Sequence, residues 1–328
     1  MTVAFLSEMP FHGKVMPDYP NMRTEFAWMF ALNADHYNLR LFSEVKNYDH
    51  VFIILPKGDM FVRADGYKIA EGSNSISPLL QSNLVQVLKT NNKKVHYVQE
   101  GPHWWYTDYE LSDQISFYNT VASCDSIFAH NEYDVAYYKG LFNNKPVHPI
   151  GTLMVPELLI NDASVKEDKV IIGGNFARWY GGFESYIVAQ QFEIPIWTQT
   201  SHATRDGEDQ IVNQLPRVAW VDWMKQLSSF KYAVHLMPTV AAGTFALNCA
   251  YFGIPCIGNG NVDTQRLCHR RLSVDVGDIE TARHFAAQLK NNKDFYERCS
   301  KEAKEDYAKH YSIEIWKSRI NKILNEEC

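Results

Sequence analysis

Two glycine-containing turns in the C-terminal half of the chain carry the residue types that hold a diphosphate. In Val170-Ile171-Ile172-Gly173-Gly174-Asn175-Phe176-Ala177-Arg178 an apolar run breaks at paired glycines and then meets an arginine. Glycines let phosphate oxygens approach the main chain, and a guanidinium neutralises a departing diphosphate. Further on, Gly243-Thr244 opens a short helical run that ends in Gly253-Ile254-Pro255 before another apolar run. A helix start presents N–H donors and the positive end of the helix dipole, and Thr244 adds a hydroxyl. Either turn alone could serve only its own strand or cap. Two in one half favour a diphosphate, with Gly174, Asn175, Arg178, Gly243 and Thr244 as donor-binding candidates. Val218-Ala219-Trp220-Val221 reads as a strand end whose backbone, at Val221, could grip a base.

Attack by a hydroxyl needs a proton acceptor. Glu100 follows the apolar run 94–99 and precedes Gly101-Pro102, at the strand end where parallel sheets place their chemistry. His12, in the loop after the first strand, is the rival base. Directly after Glu100 comes His103-Trp104-Trp105-Tyr106. Such aromatics can stack on an extruded base or a sugar ring, or simply fill a core. His103, Trp104 and Trp105 are therefore acceptor-binding candidates, with Lys14 and Arg23 as contacts to acceptor phosphates.

These residues need a scaffold of alternating strands and helices. Expected strands lie at 3–6, 50–55, 94–99 and 126–129, with helices at 23–32, 77–89 and 132–141. A Pro-containing acidic stretch at 146–169 is the connection. The pattern restarts with strands at 170–172, 194–197, 219–221, 232–236, 255–257 and 273–276, and helices at 182–192, 223–230, 245–252 and 279–289. The region 294–325 is helical and polar, with Trp316, Ile320 and Ile323 on one face. The expectation is α/β: two doubly wound Rossmann-like domains, 1–155 and 166–311, facing a central cleft, with a helix at 312–328 that packs on its own domain or crosses back to the first. A chain of 328 residues is long enough for two cores.

With 32 basic and 38 acidic residues the net charge is −6, which excludes a generally polybasic nucleic-acid binder but leaves room for a local basic groove. The six cysteines show no metal-ligand spacing and read as buried thiols of a cytoplasmic protein. The N-terminus lacks the basic start of a signal peptide, and Pro238, Gly243, Asn248, Gly253 and Pro255 divide the longest apolar stretch, so no membrane span is expected. No Asp-x-Asp motif occurs, and no obligatory metal is expected, a divalent ion at most assisting product release.

The glycine turn with its arginine and the small-residue turn ending in Gly-x-Pro resemble the donor domain of GT-B glycosyltransferases. Within that group Gly173 to Arg178 with Glu184-Ser185, then Val262-Asp263-Thr264-Gln265-Arg266, and Tyr97-Val98-Gln99-Glu100 are similar to phage sugar transferases acting on hydroxymethylated DNA. That resemblance implies an inverting transfer from a nucleotide sugar, a UDP-sugar by preference, to 5-hydroxymethylcytosine in duplex DNA, by a monomer. It aligns Glu100 with the family's aspartate base. It also brings two departures: Asn248 stands where a ribose-holding glutamate is usual, and Phe245 where an arginine reaches the diphosphate. An amide binds a diol without the charge-assisted strength of a carboxylate. A polysaccharide, lipid or small-molecule acceptor, a nucleotide-sugar epimerase and a non-catalytic binder are the alternatives.

Overall fold

In the computed structural model the chain divides into two compact units, one of Met1–Pro17, Trp28–Gly151 and Lys317–Cys328, the other of Asp18–Ala27 and Thr152–Trp316. The structure describes residues 1–55, 83–108, 111–159, 165–174, 176, 178–199 and 207–327. The expected helix at 77–89 falls partly outside them.

The first unit is a sheet of β1 (Val3–Ser7), β2 (Gly13–Lys14), β3 (Asp35–Asn38), β4 (His50–Ile54), β5 (Lys94–Val98), β6 (Ser126–Ala129) and β7 (Val147–Pro149). The order is β2-β3-β1-β4-β5-β6-β7, parallel except for the β2–β3 pair. Helices α1 (Glu25–Ala31), α2 (Leu84–Asn91), α3 (Leu111–Ser123) and α4 (Glu132–Leu141) belong to this half of the chain. Alternation along each strand divides the core into two faces. Ala4, Leu6, Val51, Ile53, Val95, Tyr97 and Ile127 pack with Leu88, Phe117, Val121 and Tyr138 of the helices. The opposite face is aromatic: Phe52 stacks on Phe5 with centroids 4.7 Å apart and meets Phe128 edge-on at 5.1 Å. On that face His50 Nδ1 lies 2.9 Å from His96 Nε2, and His96 Nδ1 lies 2.7 Å from Ser126 Oγ, so the buried imidazoles satisfy one another across three strands.

The second unit is parallel throughout, with β8 (Glu167–Ile172), β9 (Ile196–Gln199), β10 (Asn213–Leu215), β11 (Phe230–His235), β12 (Cys256–Asn259) and β13 (Ser273–Val274) in the order β10-β9-β8-β11-β12-β13. Its helices are α5 (Gly182–Ala189), α6 (Glu208–Ile211), α7 (Trp220–Ser228), α8 (Thr244–Tyr251), α9 (Asp263–Cys268), α10 (Ile279–Asn291) and α11 (Lys293–Tyr311); α12 (Ile313–Glu327) ends the described chain. Val170, Ile172, Val234 and Ile257 pack with Val188 and Phe192 after β8 and with Ala282, Ala286 and Leu289 of α10. Cys124, Cys249, Cys256, Cys268 and Cys299 are free thiols in these cores. Among the described residues no helix is long and apolar enough to cross a membrane.

The strand expected at 219–221 is the first turn of α7. Trp220, Trp223, Met224 and Leu227 are buried at helical spacing, which overrides the local apolar run that reads as a strand. The Trp220 amide donates to the Pro20 carbonyl at 2.7 Å, holding the helix start against a segment of the same unit. Strands β2, β3, β7 and β10, and helices α3, α6 and α9, have no counterpart in the sequence reading. They are short, polar, or, like α3, only weakly amphipathic.

Burial pulls the His36, His235 and His269 pKa values down to about 4 and that of His96 to about 3, from an ordinary 6.5. The folded protein keeps these rings neutral while the unfolded chain takes up protons below 6.5, so their effect on stability vanishes above 6.5 and becomes a penalty as the pH falls toward 4. Each ring costs up to about 1.4 kcal/mol per pH unit in that window. Urea denaturation at about pH 5 should show a clearly lower midpoint than at about pH 7. An unchanged or higher midpoint on acidification would contradict neutral burial of these histidines.

Candidate functional site

Strand order fixes where each unit can bind a ligand. From β8 the chain builds outward through β9 and β10, and from β11 it builds in the other direction through β12 and β13. The carboxyl ends of the adjacent strands β8 and β11 therefore flank a topological switch point, where no crossing connection fills the crevice. Gly173 and Gly174 leave β8 there, and His235 ends β11 there. In the first unit the corresponding point lies between β1 and β4.

The Gly173 amide donates to Val234 at 2.8 Å, which draws the turn onto β11. A side chain at Gly173 would come within 2.5 Å of His235 Cγ and 2.8 Å of Phe245 Cδ1. Gly174 has φ +81°, and Thr198 Oγ1 at the end of β9 donates to its carbonyl at 2.8 Å. The next turn is equally constrained: Gly181 has φ +63°, and an added Cβ would lie 2.0 Å from the Leu236 carbonyl oxygen. Glycine alone tolerates both the backbone and the close approach.

Gly243, at φ +75°, is the N-cap of α8, and among the described residues no side chain caps the N–H groups of the first turn. Thr264 Oγ1 donates to the Gly243 carbonyl at 2.8 Å, and Thr264 and Val262 occupy the space that any Cβ there would need. Thr244 is thus the first helical residue rather than the cap, its hydroxyl 3.2 Å from that of Thr152. Phe245 projects toward the other turn, edge-on to His235 with centroids 5.1 Å apart. The two glycine turns are in contact through Phe245, and free N–H donors of a helix start stand beside that contact. His269 holds the arrangement from beneath, bonding the Ala246 carbonyl through Nε2 at 3.0 Å while Nδ1 accepts from the Cys256 amide at 3.4 Å.

Asn248 lies one turn beyond Thr244 on the same helix and is 3% exposed. Asn175 lies outside the described residues, and Arg178 opens a short 3-10 turn with Trp179 and Tyr180, its side chain likewise outside. Val221 sits on the first turn of α7, 37% exposed, where it is helical and not the strand end expected of a base-gripping segment. A pocket of about 420 Å³ opens between the starts of α5 and α10, lined by Glu184, Leu236, Met237, Asn259 and Asp275 among others. Glu184, Asp275 and Asp278 make this lining acidic.

In the first unit Glu100 follows β5 and is half-buried. Its loop is fixed by Gln99, whose amide accepts from His130 N at 3.1 Å and donates to the Gly101 carbonyl at 2.8 Å. His12 is exposed, edge-on to Tyr37 at 4.5 Å between centroids. It follows β1 but lies beside Tyr37 of β3, with β1 and β4 between that strand and β5. Sequence reasoning missed Gln99, Thr264 and His269, whose roles depend on partners remote in the chain.

The acceptor candidates divide differently. Lys14 pairs with Asp35 at 3.0 Å, and Arg23 Nε donates to Asn21 Oδ1 at 2.8 Å, in segments of different units. Trp104 is half-buried, whereas Trp105 is 6% exposed and belongs to the core with Phe117. Its ring presents no face for stacking. His103 Nδ1 lies 2.8 Å from the fully buried Asp134 carboxylate and packs on Tyr137 at 4.2 Å.

No protein-family model matches the chain, and no curated protein matches it. Solved structures do. Anabaena Alr3699/HepE, determined with UDP and glucose, superposes with a TM-score of 0.67 at 9% identity over 99% of this chain and 100% of that one. An alpha-glucosyltransferase in complex with UDP and a 13-mer DNA containing an HMU base gives 0.63 at 12% identity, over 99% and 98%. The fold is GT-B. A mutant of S. aureus TarM, with Fondaparinux, alpha-GlcNAc-glycerol and UDP, gives 0.59 at 11% identity, over 84% of this chain and 55% of that one. The chain thus spans about half the length of TarM. In this GT-B chain the glycine turns of the second unit lie at the carboxyl ends of β8 and β11.

The pairing of His103 gives this assignment a test. His103→Ala removes one of the bonds that satisfy the buried Asp134 carboxylate and should cost about 1–3 kcal/mol of stability, read by urea denaturation. A variant as stable as the parent would return His103 to the residues free for a ligand.

Proposed function

We propose that this protein is a glycosyltransferase that moves a sugar from a UDP-sugar to the hydroxyl of 5-hydroxymethylcytosine in duplex DNA. The observation that carries the transfer is the contact between the Gly173 turn and the uncapped start of α8 at the β8/β11 switch point. The diphosphate binds main-chain N–H groups of these turns, Arg178 supplies the positive charge, and Asn248 and the backbone near Val221 serve the nucleoside. Phe245, an uncharged ring where the resemblance expects arginine, makes Arg178 the cation on which the leaving group depends. His12 or Glu100 takes the proton of the acceptor hydroxyl, the oxygen attacks the anomeric carbon, and the bond to the UDP oxygen breaks with inversion. UDP departs with the electron pair. Arg178 and the helix start carry the charge without an obligatory metal, and a divalent ion acts at most on product release.

Support for the DNA acceptor is the neighbour that covers nearly the whole chain and holds UDP together with DNA. Trp104, with the exposed His12 loop, is the surface left for a flipped base. A second reading keeps the transfer and replaces DNA by a polysaccharide, lipid or small molecule. The net charge of −6 and the engagement of Lys14 by Asp35 favour it, since duplex binding draws on free cations.

Labelled UDP-sugars incubated with hydroxymethylated duplex, plain duplex or small acceptors should release UDP and label only the hydroxymethylated duplex. Label in a small acceptor alone selects the second reading, and UDP release in no mixture removes both. Arg178→Ala should lower kcat about 10²–10³-fold. Gly173→Ala should weaken UDP binding about tenfold by calorimetry, since its methyl group displaces His235 and Phe245. Unaltered UDP binding by Gly173→Ala would dissociate the two turns from the donor.

A further inference from the structure

The loop that carries His12 is held by a single buried residue on the neighbouring strand. His36, in the middle of β3, has a fully buried ring. Its Nδ1 lies 2.9 Å from the Phe11 carbonyl oxygen, which only accepts, so Nδ1 carries the hydrogen. The neutral ring then presents a lone pair at Nε2, 2.8 Å from Ser7 Oγ, and the serine hydroxyl donates to it. Ser7 ends β1 and accepts in turn from the Met9 amide at 3.3 Å. The Phe11 ring stacks on His36 with centroids 4.0 Å apart, and Asn38 donates to the carbonyls of Glu8 and Met9 at 3.0 and 2.9 Å. On the far side of His12, Gly13 pairs with the backbone of His36 itself. His12 is therefore bracketed, its preceding carbonyl fixed by the His36 side chain and its following residue by the His36 main chain.

We infer that His36 is a positioning residue for His12, setting that imidazole beside Tyr37 at the carboxyl end of β3, where it meets the acceptor. This rests on the sugar-transfer reading and chooses His12 over Glu100 as the group that needs fixing. An ordinary surface histidine requires no such support. Here a polar relay centred on the buried Ser7 and His36 runs from Met9 to Phe11, next to His12, in a loop that exposes the Glu8 and His12 side chains. Burial keeps His36 neutral at working pH, its pKa drawn down to about 4, which preserves both the donor and the acceptor.

The two nitrogens can be removed separately. His36→Asn places an amide N–H where Nδ1 stands and keeps the bond to Phe11. His36→Gln places its amide toward Ser7 and loses the bond to Phe11. Ser7→Ala removes the support of Nε2 and guards against His36 variants that fail to fold. With UDP-sugar and the best acceptor, His36→Gln should lower kcat about a hundredfold with donor KM unchanged, and His36→Asn should retain activity within about threefold. In a His12→Ala background the same substitutions should cost nothing further, because their effect passes through His12. Losses that add to that of His12→Ala, or equal losses in Asn and Gln variants, would overturn the assignment while leaving the transfer reading intact. A wild-type protein that releases UDP from no donor would end the transfer reading, and His36 positioning with it.

Discussion

The second unit of this structure depends on one close approach, that of the Gly173 backbone to His235 and Phe245. Side chains are excluded at Gly173, at Gly181 and at Gly243 by different neighbours, yet all three exclusions lie around the switch point between β8 and β11. Excluding side chains leaves main chain exposed, and exposed main-chain N–H groups at a helix start are what a phosphate requires. Packing and ligand chemistry are therefore the same requirement at this point. The residues beneath, Thr264, Gln265 and His269, are spent on keeping the start of α8 and the start of β12 in register.

The first unit solves a similar problem with polar side chains. Its switch point is edged by loops rather than by glycine contacts, and each loop is tied by one buried residue. Gln99 ties the Glu100 loop, and His36 ties the His12 loop. Both are buried and hydrogen-bonded on both ends of the side chain, so their polarity costs little while their geometry is fully used. Rigid scaffolds of this kind place loop residues more closely than loop sequence alone can.

What could be read from sequence follows from how local each signal is. The strand at 126–129 is legible to the residue because an apolar run is bounded by polar neighbours. The helix at 132–141 is legible because Asn131 accepts from the Asp134 amide and acidic residues fill its first turn. The glycine turns are legible as turns, and their mutual contact is not, since it is made by Phe245, a residue that the sequence marks only as a departure. The segment 219–221 misleads because Val-Ala-Trp-Val suits a strand until the spacing of Trp220, Trp223, Met224 and Leu227 is weighed. The aromatic cluster after Glu100 could not be apportioned from sequence. Whether a tryptophan stacks on a ligand or on Phe117 is decided by partners ahead in the chain, and Asp134 lies 31 residues from His103.

The division of the chain has a consequence for biosynthesis. The first unit is drawn from both ends of the polypeptide, and residues 18–27 of the opening segment belong to the other unit. A ribosome delivers most of the first unit before the second, but its piece Lys317–Cys328 emerges only after the second. Until then the nascent chain carries an incomplete first unit through the synthesis of the second. Nor can either unit be excised as one contiguous gene fragment without leaving a piece of itself behind.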